Sequence, residues 1–171
     1  MRRLLPPVLA LTCGAGATTC ASSGFDAAVE RAELVVQAEI VRHLARADGY
    51  PGALDMQVRV LATYAGKAPG ATLTVRGDDG MSPYPYVRAY PVGTRWVLAL
   101  TRQDWRTGRV QPGGRYSPVS CTGQGLLVSG PIAFGLLRSG PGKDGGVGLN
   151  VALPLPLAEL PAWVRAMRAG R

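Results

Sequence analysis

His43 is the only imidazole in this sequence, which excludes any metal centre built from several histidines. A Ser-His-Asp triad would have to recruit His43 from a strand end beside a loop. No G-x-S-x-G turn is present to present a serine nucleophile, and Ser120 and Ser129 read as turn residues. His43 itself reads as a solvated side chain at a loop edge. Cys121 with His43 would make a thiol nucleophile, but a second cysteine, Cys20, competes for the same sulfur. Asp78-Asp79-Gly80 together with Asp55 lacks the alternating spacing of a calcium loop and reads as an acidic turn. Gly66-Lys67-Ala68 and Gly142-Lys143-Asp144 lack the upstream glycine and following Ser or Thr of a phosphate loop. The sequence therefore names no catalytic residue, no metal site and no cofactor.

Charge is the second source of chemistry. The chain carries 19 basic against 11 acidic residues, a formal charge of +8, and all but Lys67 and Lys143 of the basic residues are arginine. Arg76, Arg95, Arg102, Arg106, Arg109 and Arg115 crowd one third of the chain, with Tyr84, Tyr86, Tyr90, Trp96 and Trp105 among them. Cations interleaved with aromatic rings are what an anion-binding groove uses. Against this, arginine replaces lysine throughout and accompanies heavy Ala, Gly and Pro usage, which is the mark of compositional bias. The anions expected are envelope polymers or lipid head groups; no nucleic acid is expected. The segment Met81–Pro91 (MSPYPYVRAYP) reads equally as a contact loop and as a cover over one end of a β-structure. In the first reading Tyr84, Tyr86, Tyr90 and Arg88 form a contact surface, with Thr18 and Thr19 as a second edge.

The elements that must hold these residues begin after an export signal. Met1-Arg2-Arg3, the apolar run Leu4–Leu11 and Ala15-Gly16-Ala17 follow the order of a secretory leader, assigned to residues 1–17. Pro6 and Pro7 speak against a buried helix there. The boxes before Cys13 and Cys20 are poor for lipoprotein anchoring. Removing the leader leaves Cys20 and Cys121, an even pair whose simplest state in an oxidising space is one disulfide, with two free thiols as the alternative. The predicted location is periplasmic or secreted, with no transmembrane segment in the mature chain.

A helix is predicted over 24–33, capped by Ser22 or Ser23. Strands follow at 34–42, 56–64, 71–76 and 95–102, the second and third forming a hairpin about Gly66–Gly70. In the first, Leu34, Val36, Ala38 and Ile40 share one side; in the second, Met56, Val58, Val60, Ala62 and Tyr64 do. Residues 43–55 read as a polar loop. Residues 115–119 lead to Cys121, and short strands are expected at 126–128 and 132–137. Several short strands with turn signals and flanking helices suggest a small β-barrel or sandwich, whose closing would bury the nearly apolar strands 34–42 and 95–102. Residues 18–138 form one domain, and 139–171 form a flexible loop and a helix over 157–167 packed by Leu157, Leu160, Val164 and Met167.

The motifs Ala32-Glu33-Leu34-Val35-Val36, Val58–Lys67 (VRVLATYAGK), Pro91–Leu100 (PVGTRWVLAL) and Tyr116–Gly123 (YSPVSCTG) resemble, in this order, the bacterial branch of the netrin-module or tissue-inhibitor-of-metalloproteinases-like OB-fold superfamily. That resemblance implies a mainly β fold: a five-stranded OB-type barrel with a short N-terminal helix and a C-terminal helix. It also implies a disulfide between Cys20 and Cys121. Animal members chelate a protease zinc through an N-terminal cysteine, whereas Cys20 is followed by Ala21-Ser22 and preceded by Thr18-Thr19. The functional expectation is an exported, non-enzymatic binding or inhibitory module with a protein partner, a protease among the candidates. The alternative is an envelope protein that holds anionic polymers or lipid head groups through its arginines.

Overall fold

The structure is a computed structural model, and it describes residues 24–46, 51–77, 87–103, 108–119, 125–138, 151–152 and 154–170. Its architecture is mainly β, an antiparallel sheet with two helices. In chain order the elements are α1 (Phe25–Arg31), β1 (Leu34–Ala45), β2 (Leu54–Ala65), β3 (Thr72–Arg76), β4 (Arg95–Thr101), β5 (Ser117–Pro118), β6 (Leu126–Ser129), β7 (Ile132–Phe134), β8 (Leu136–Arg138), β9 (Val151–Ala152), β10 (Leu155–Pro156) and α2 (Leu160–Ala169). Eight strands make the main sheet in the order β10-β7-β6-β4-β1-β2-β3, with β5 beside β4; β8 and β9 pair separately. This strand path does not close on itself. No helix among the described residues is long and apolar enough to cross a membrane.

Strand β1 is central, paired with β2 on one side and β4 on the other, and its alternation sends side chains to two cores. Leu34, Val36, Ala38 and Ile40 enter an inner core with Met56 and Val58 of β2, Leu73 and Val75 of β3, and Leu98 and Leu100 of β4. Val35 points the other way, into an outer core with Val97, Ala99, Leu126 and the two helices. A stretch buried on both faces needs apolar residues at successive positions, which is the pattern of Leu34–Val36 in β1 and Val97–Leu100 in β4. Helix α1 contributes Phe25, Ala28 and Val29, and α2 contributes Leu160 and Val164. Phe25 stacks on Trp163 at a centroid distance of 6.1 Å and 10° between planes. Each buried ring of this kind stabilises by about 2–3 kcal/mol through area alone. Arg168 Nη1 donates to the Ala32 carbonyl at 2.8 Å, satisfying a helix-end acceptor of α1 and tying α2 to it.

Several elements differ from expectation for identifiable reasons. The β1–β2 hairpin runs past the polar residues assigned to a loop, pairing His43 with Met56, Leu44 with Asp55 and Ala45 with Leu54. Backbone ladders need no apolar side chain, and here the buried Met56 and Asp55 of β2 face the half-exposed end of β1. Tyr64 does not share the inner side with Met56 and Val58. Register shifts opposite Val35/Val36 and Gln37/Ala38 turn it over, and its hydroxyl donates to Gln37 Oε1 at 2.8 Å against the outer core. The cap position of α1 is Gly24, with no side-chain bond; Ser22 and Ser23 lie outside the described residues. Pro161 sits in the first turn of α2, which starts at Leu160.

Beyond the ladders, Tyr116 N donates to the Thr74 carbonyl at 2.9 Å, and Arg76 N donates to the Tyr116 carbonyl at 2.7 Å. They make a parallel bridge between Val75 and Tyr116. One residue further on, β5 pairs with β4 through Thr101–Ser117 and Leu100–Pro118.

Candidate functional site

An open cleft of about 570 Å³ lies where the α1–β1 junction, the β2–β3 turn and the end of β4 meet. Backbone contacts fix each wall. Glu33 N donates to the Leu100 carbonyl at 2.9 Å, setting Glu33 beside the end of β4. Gly66 opens the β2–β3 turn at φ +77°, and a Cβ on it would collide with the Glu33 carbonyl oxygen and lie 3.2 Å from Leu34 Cα. Only glycine fits both the left-handed backbone and this approach. The turn is thereby pressed onto the start of β1, and Lys67, Ala68 and Pro69 overhang the cleft. Tyr116, held by its two bonds to β3, lines the cleft too.

The Glu33 carboxylate is engaged by β4. Oε1 accepts from Thr101 Oγ1 at 3.0 Å and from Arg102 N at 3.3 Å, and Oε2 accepts from Arg102 Nε at 2.9 Å. Partial burial pulls the Glu33 pKa upward, but the bonds from Arg102 and Thr101 and the Arg102 charge outweigh it and hold the carboxyl below its usual value. A carboxylate so held is a weak base, and its role is to orient Arg102. The Glu33 bond and charge in turn raise the Arg102 pKa. Among the described residues, the terminal amino groups of Arg102, the Lys67 ammonium and the Tyr116 hydroxyl have no hydrogen-bond partner. Two cations and one neutralised carboxylate beside Leu34, Ala68 and Pro69 can hold an anion that carries an apolar part.

Among the described arginines singled out from sequence, Arg95 stands apart from Arg76, Arg102 and Arg115, which share a chain of polar contacts. Arg115 Nη1 donates to Asp55 Oδ2 at 3.2 Å, beside Arg46, whose Nε lies 3.5 Å from Asp55 Oδ1. Asp55 also accepts from Gly77 N at 3.2 Å. Arg76 Nη1 donates to Gln111 Oε1 at 3.1 Å, and Gln111 N donates to the Arg102 carbonyl at 2.7 Å. Arg95 stands at the opposite end of β4 from Arg102, paired across the ladder with Glu39, which is bonded to Arg59 at 2.8 Å. Arg109 is exposed. Arg106 lies outside the described residues.

The candidate contact residues divide as well. Arg88 is exposed in a 3-10 turn, Val87–Ala89. Tyr90 is 4% exposed and faces the inner core, 4.5 Å from the Trp96 ring, so burial and not contact explains this tyrosine. Burial pushes its pKa up to about 12 against a backbone hydrogen bond at Gly125. His43 Nε2 lies 2.9 Å from the Tyr90 carbonyl, which gives the single histidine a structural partner. Thr18, Thr19, Cys20, Tyr84, Tyr86 and Cys121 lie outside the described residues.

Sequence reasoning missed Glu33 and Lys67. The available signal was Gly66-Lys67-Ala68-Pro69-Gly70, a turn with one exposed lysine, but nothing local ties it to Glu33 or Arg102. A second, shallower groove of about 470 Å³ runs past Thr94, Arg95 and Ser129. Nearby, Leu127 pairs across the ladder with Trp96 and Phe134, and both Leu127 and Phe134 are exposed. No protein-family model matches this chain, and no curated protein matches it either.

Proposed function

We propose that this chain is an exported, non-enzymatic binding or inhibitory module on a five-stranded OB-type barrel of the tissue-inhibitor-of-metalloproteinases-like kind, with a protein partner. The supporting observation is the bonding at Tyr116. It ties the outer edge of β3 to the segment entering β5, while β5 pairs with β4 and β4 with β1. Taken as the closing seam, that contact gives the ring order β1-β2-β3-β5-β4, with β3 and the Tyr116 segment parallel. The inner core would fill the ring, and the helices would cover the β1–β4 wall.

A disulfide between Cys20 and Cys121 is part of the proposal. Its support is that Phe25, five residues after Cys20, and Val119, two before Cys121, share the outer core. Such a link closes a loop of about 100 residues, for which chain-entropy models give roughly 4–5 kcal/mol. Non-reducing peptide mapping of protein recovered from the periplasm or medium tests it. A linked peptide pair containing Cys20 and Cys121 is the expected result; quantitative alkylation of both as thiols overturns it. The mature N-terminus separates modes of action, since a chain starting at Thr18 disfavours zinc chelation by Cys20.

The alternative, retention of anionic polymers or lipid head groups, draws its support from the cleft at Lys67 and Arg102 and not from a continuous arginine face.

A further inference from the structure

We propose that the cleft between the α1–β1 junction and the β2–β3 turn binds a monoanionic carboxylate borne on an apolar body. Arg102 and Lys67 supply the charge, and Leu34, Ala68, Pro69 and the Tyr116 ring supply the apolar wall. The proposal rests on reading the chain as a binding module, and on neither the disulfide nor the closing of the barrel.

Charge selects the ligand. Two cations against the Glu33 carboxylate leave one net positive charge in the cleft. A monocarboxylate neutralises it, whereas a dianion such as phosphate would over-neutralise it and lose its own hydration in the exchange. Geometry selects the contact. Arg102 spends Nε on Glu33 at 2.9 Å, which leaves the edge formed by its two terminal amino groups for a forked pair with a carboxylate. Glu33 is a positioning residue: bonded also to Thr101 Oγ1 and to Arg102 N, it fixes the guanidinium before a ligand arrives. Lys67 reaches the cleft from the turn pinned by Gly66. The volume, about 570 Å³, suits a small ligand or the end of a longer chain.

The ligand's source is either a peptide carboxylate or a free aliphatic acid, and three probes distinguish them: N-acetyl-leucine, its neutral amide, and hexanoate. Titrations of the purified, processed protein are followed by amide chemical shifts, with inorganic phosphate as the dianion control. The proposal expects saturable shifts at Glu33, Lys67, Arg102 and Tyr116 with N-acetyl-leucine and none with its amide. Hexanoate binding as tightly as N-acetyl-leucine identifies an aliphatic acid; weaker hexanoate binding identifies a peptide carboxylate. Lys67→Gln, at an exposed site that leaves the fold intact, should weaken binding about three- to fivefold, and Arg102→Lys, which keeps charge but loses the fork, about tenfold. Glu33→Gln raises the charge of the cleft and should shift preference toward phosphate, a change that mere loosening of the site would not produce. Equal shifts with the amide, tighter binding of phosphate to the unsubstituted protein, or unchanged affinity in Lys67→Gln overturns the proposal. If Cys20 and Cys121 prove linked while the titration fails, the cleft assignment alone is lost. Free thiols with a positive titration remove the inhibitor-like architecture and leave the cleft.

Discussion

Replacing Gly66 by alanine should cost far more than replacing a glycine normally does, and the excess can be separated into two parts. Gly66 has φ +77°, and a Cβ there would strike the Glu33 carbonyl oxygen and crowd Leu34 Cα at 3.2 Å. The left-handed backbone alone costs an alanine roughly 1–2 kcal/mol. The collision is with backbone on both atoms, so no side chain can swing away, and overpacking of this kind adds about 1–3 kcal/mol. Two other glycines isolate these contributions. Gly52 has φ +90° with nothing within 4 Å of a Cβ, so Gly52→Ala carries the conformational cost only. Gly70 carries no left-handed strain, and its nearest neighbour to a Cβ is the Thr72 carbonyl oxygen at 3.9 Å. Gly70→Ala should therefore be neutral, or stabilising by about 0.4–1 kcal/mol through the unfolded state. The expected order of urea midpoints is Gly70→Ala at or above the parent, Gly52→Ala lower, and Gly66→Ala lowest. A loss of about 3–4 kcal/mol corresponds to a Tm fall of about 6–16 °C for a chain of this length. Because the same contact holds Lys67 over the cleft, Gly66→Ala should also lose carboxylate binding under conditions where it remains folded. If Gly66→Ala and Gly52→Ala unfold together, the turn is not pressed on Glu33 and the account of the cleft walls fails.

Other expectations follow from single contacts. The Glu33 carboxyl is held below its usual pKa in the folded chain, so its contribution to stability is present above the unfolded value and fades as pH falls through the folded one. Glu33→Gln should therefore lower the urea midpoint at neutral pH by a small amount, about half a kcal/mol after solvent screening, and the gap should close as pH falls through and below the ordinary glutamate range. A gap that widens on acidification would refute the direction. Phe25→Ala removes the fully buried ring stacked on Trp163 and should cost about 3–5 kcal/mol in denaturant unfolding, with a blue shift lost from tryptophan emission as Trp163 becomes wetter. A loss below about 1 kcal/mol would mean that α1 and α2 do not share one core.

Much of the sheet was readable because burial on two faces leaves a continuous apolar imprint. Leu34–Val36 and Trp96–Leu100 carry that imprint, and the inner side of β1 at Leu34, Val36, Ala38 and Ile40 falls as alternation requires. The α2 residues Leu160 and Val164 are buried as their helical spacing indicates. Other features had no such imprint. The ladder through His43–Ala45 and Leu54–Asp55 is made by backbone groups, which polar side chains neither help nor reveal. Bulges reverse Tyr64 without any glycine to announce them. The cleft unites Glu33, Lys67 and Arg102 from three distant stretches, and spacing is silent about residues that only topology makes neighbours. Topology also separates Arg95 from the other described arginines of the cluster. Neighbours in sequence, Arg95 and Arg102, occupy opposite ends of β4, and Arg102 and Arg115 are bonded to Glu33 and Asp55.

The junction between the outer edge of β3 and the segment leading into β5 decides the proposed architecture, and amide hydrogen exchange reads that seam directly. The Tyr116 and Arg76 amides, bonded at 2.9 and 2.7 Å across it, should exchange as slowly as those in the middle of β1. Exchange of both at loop rates, with β1 and β4 still protected, would mean that the sheet is open along β3 and that no barrel forms.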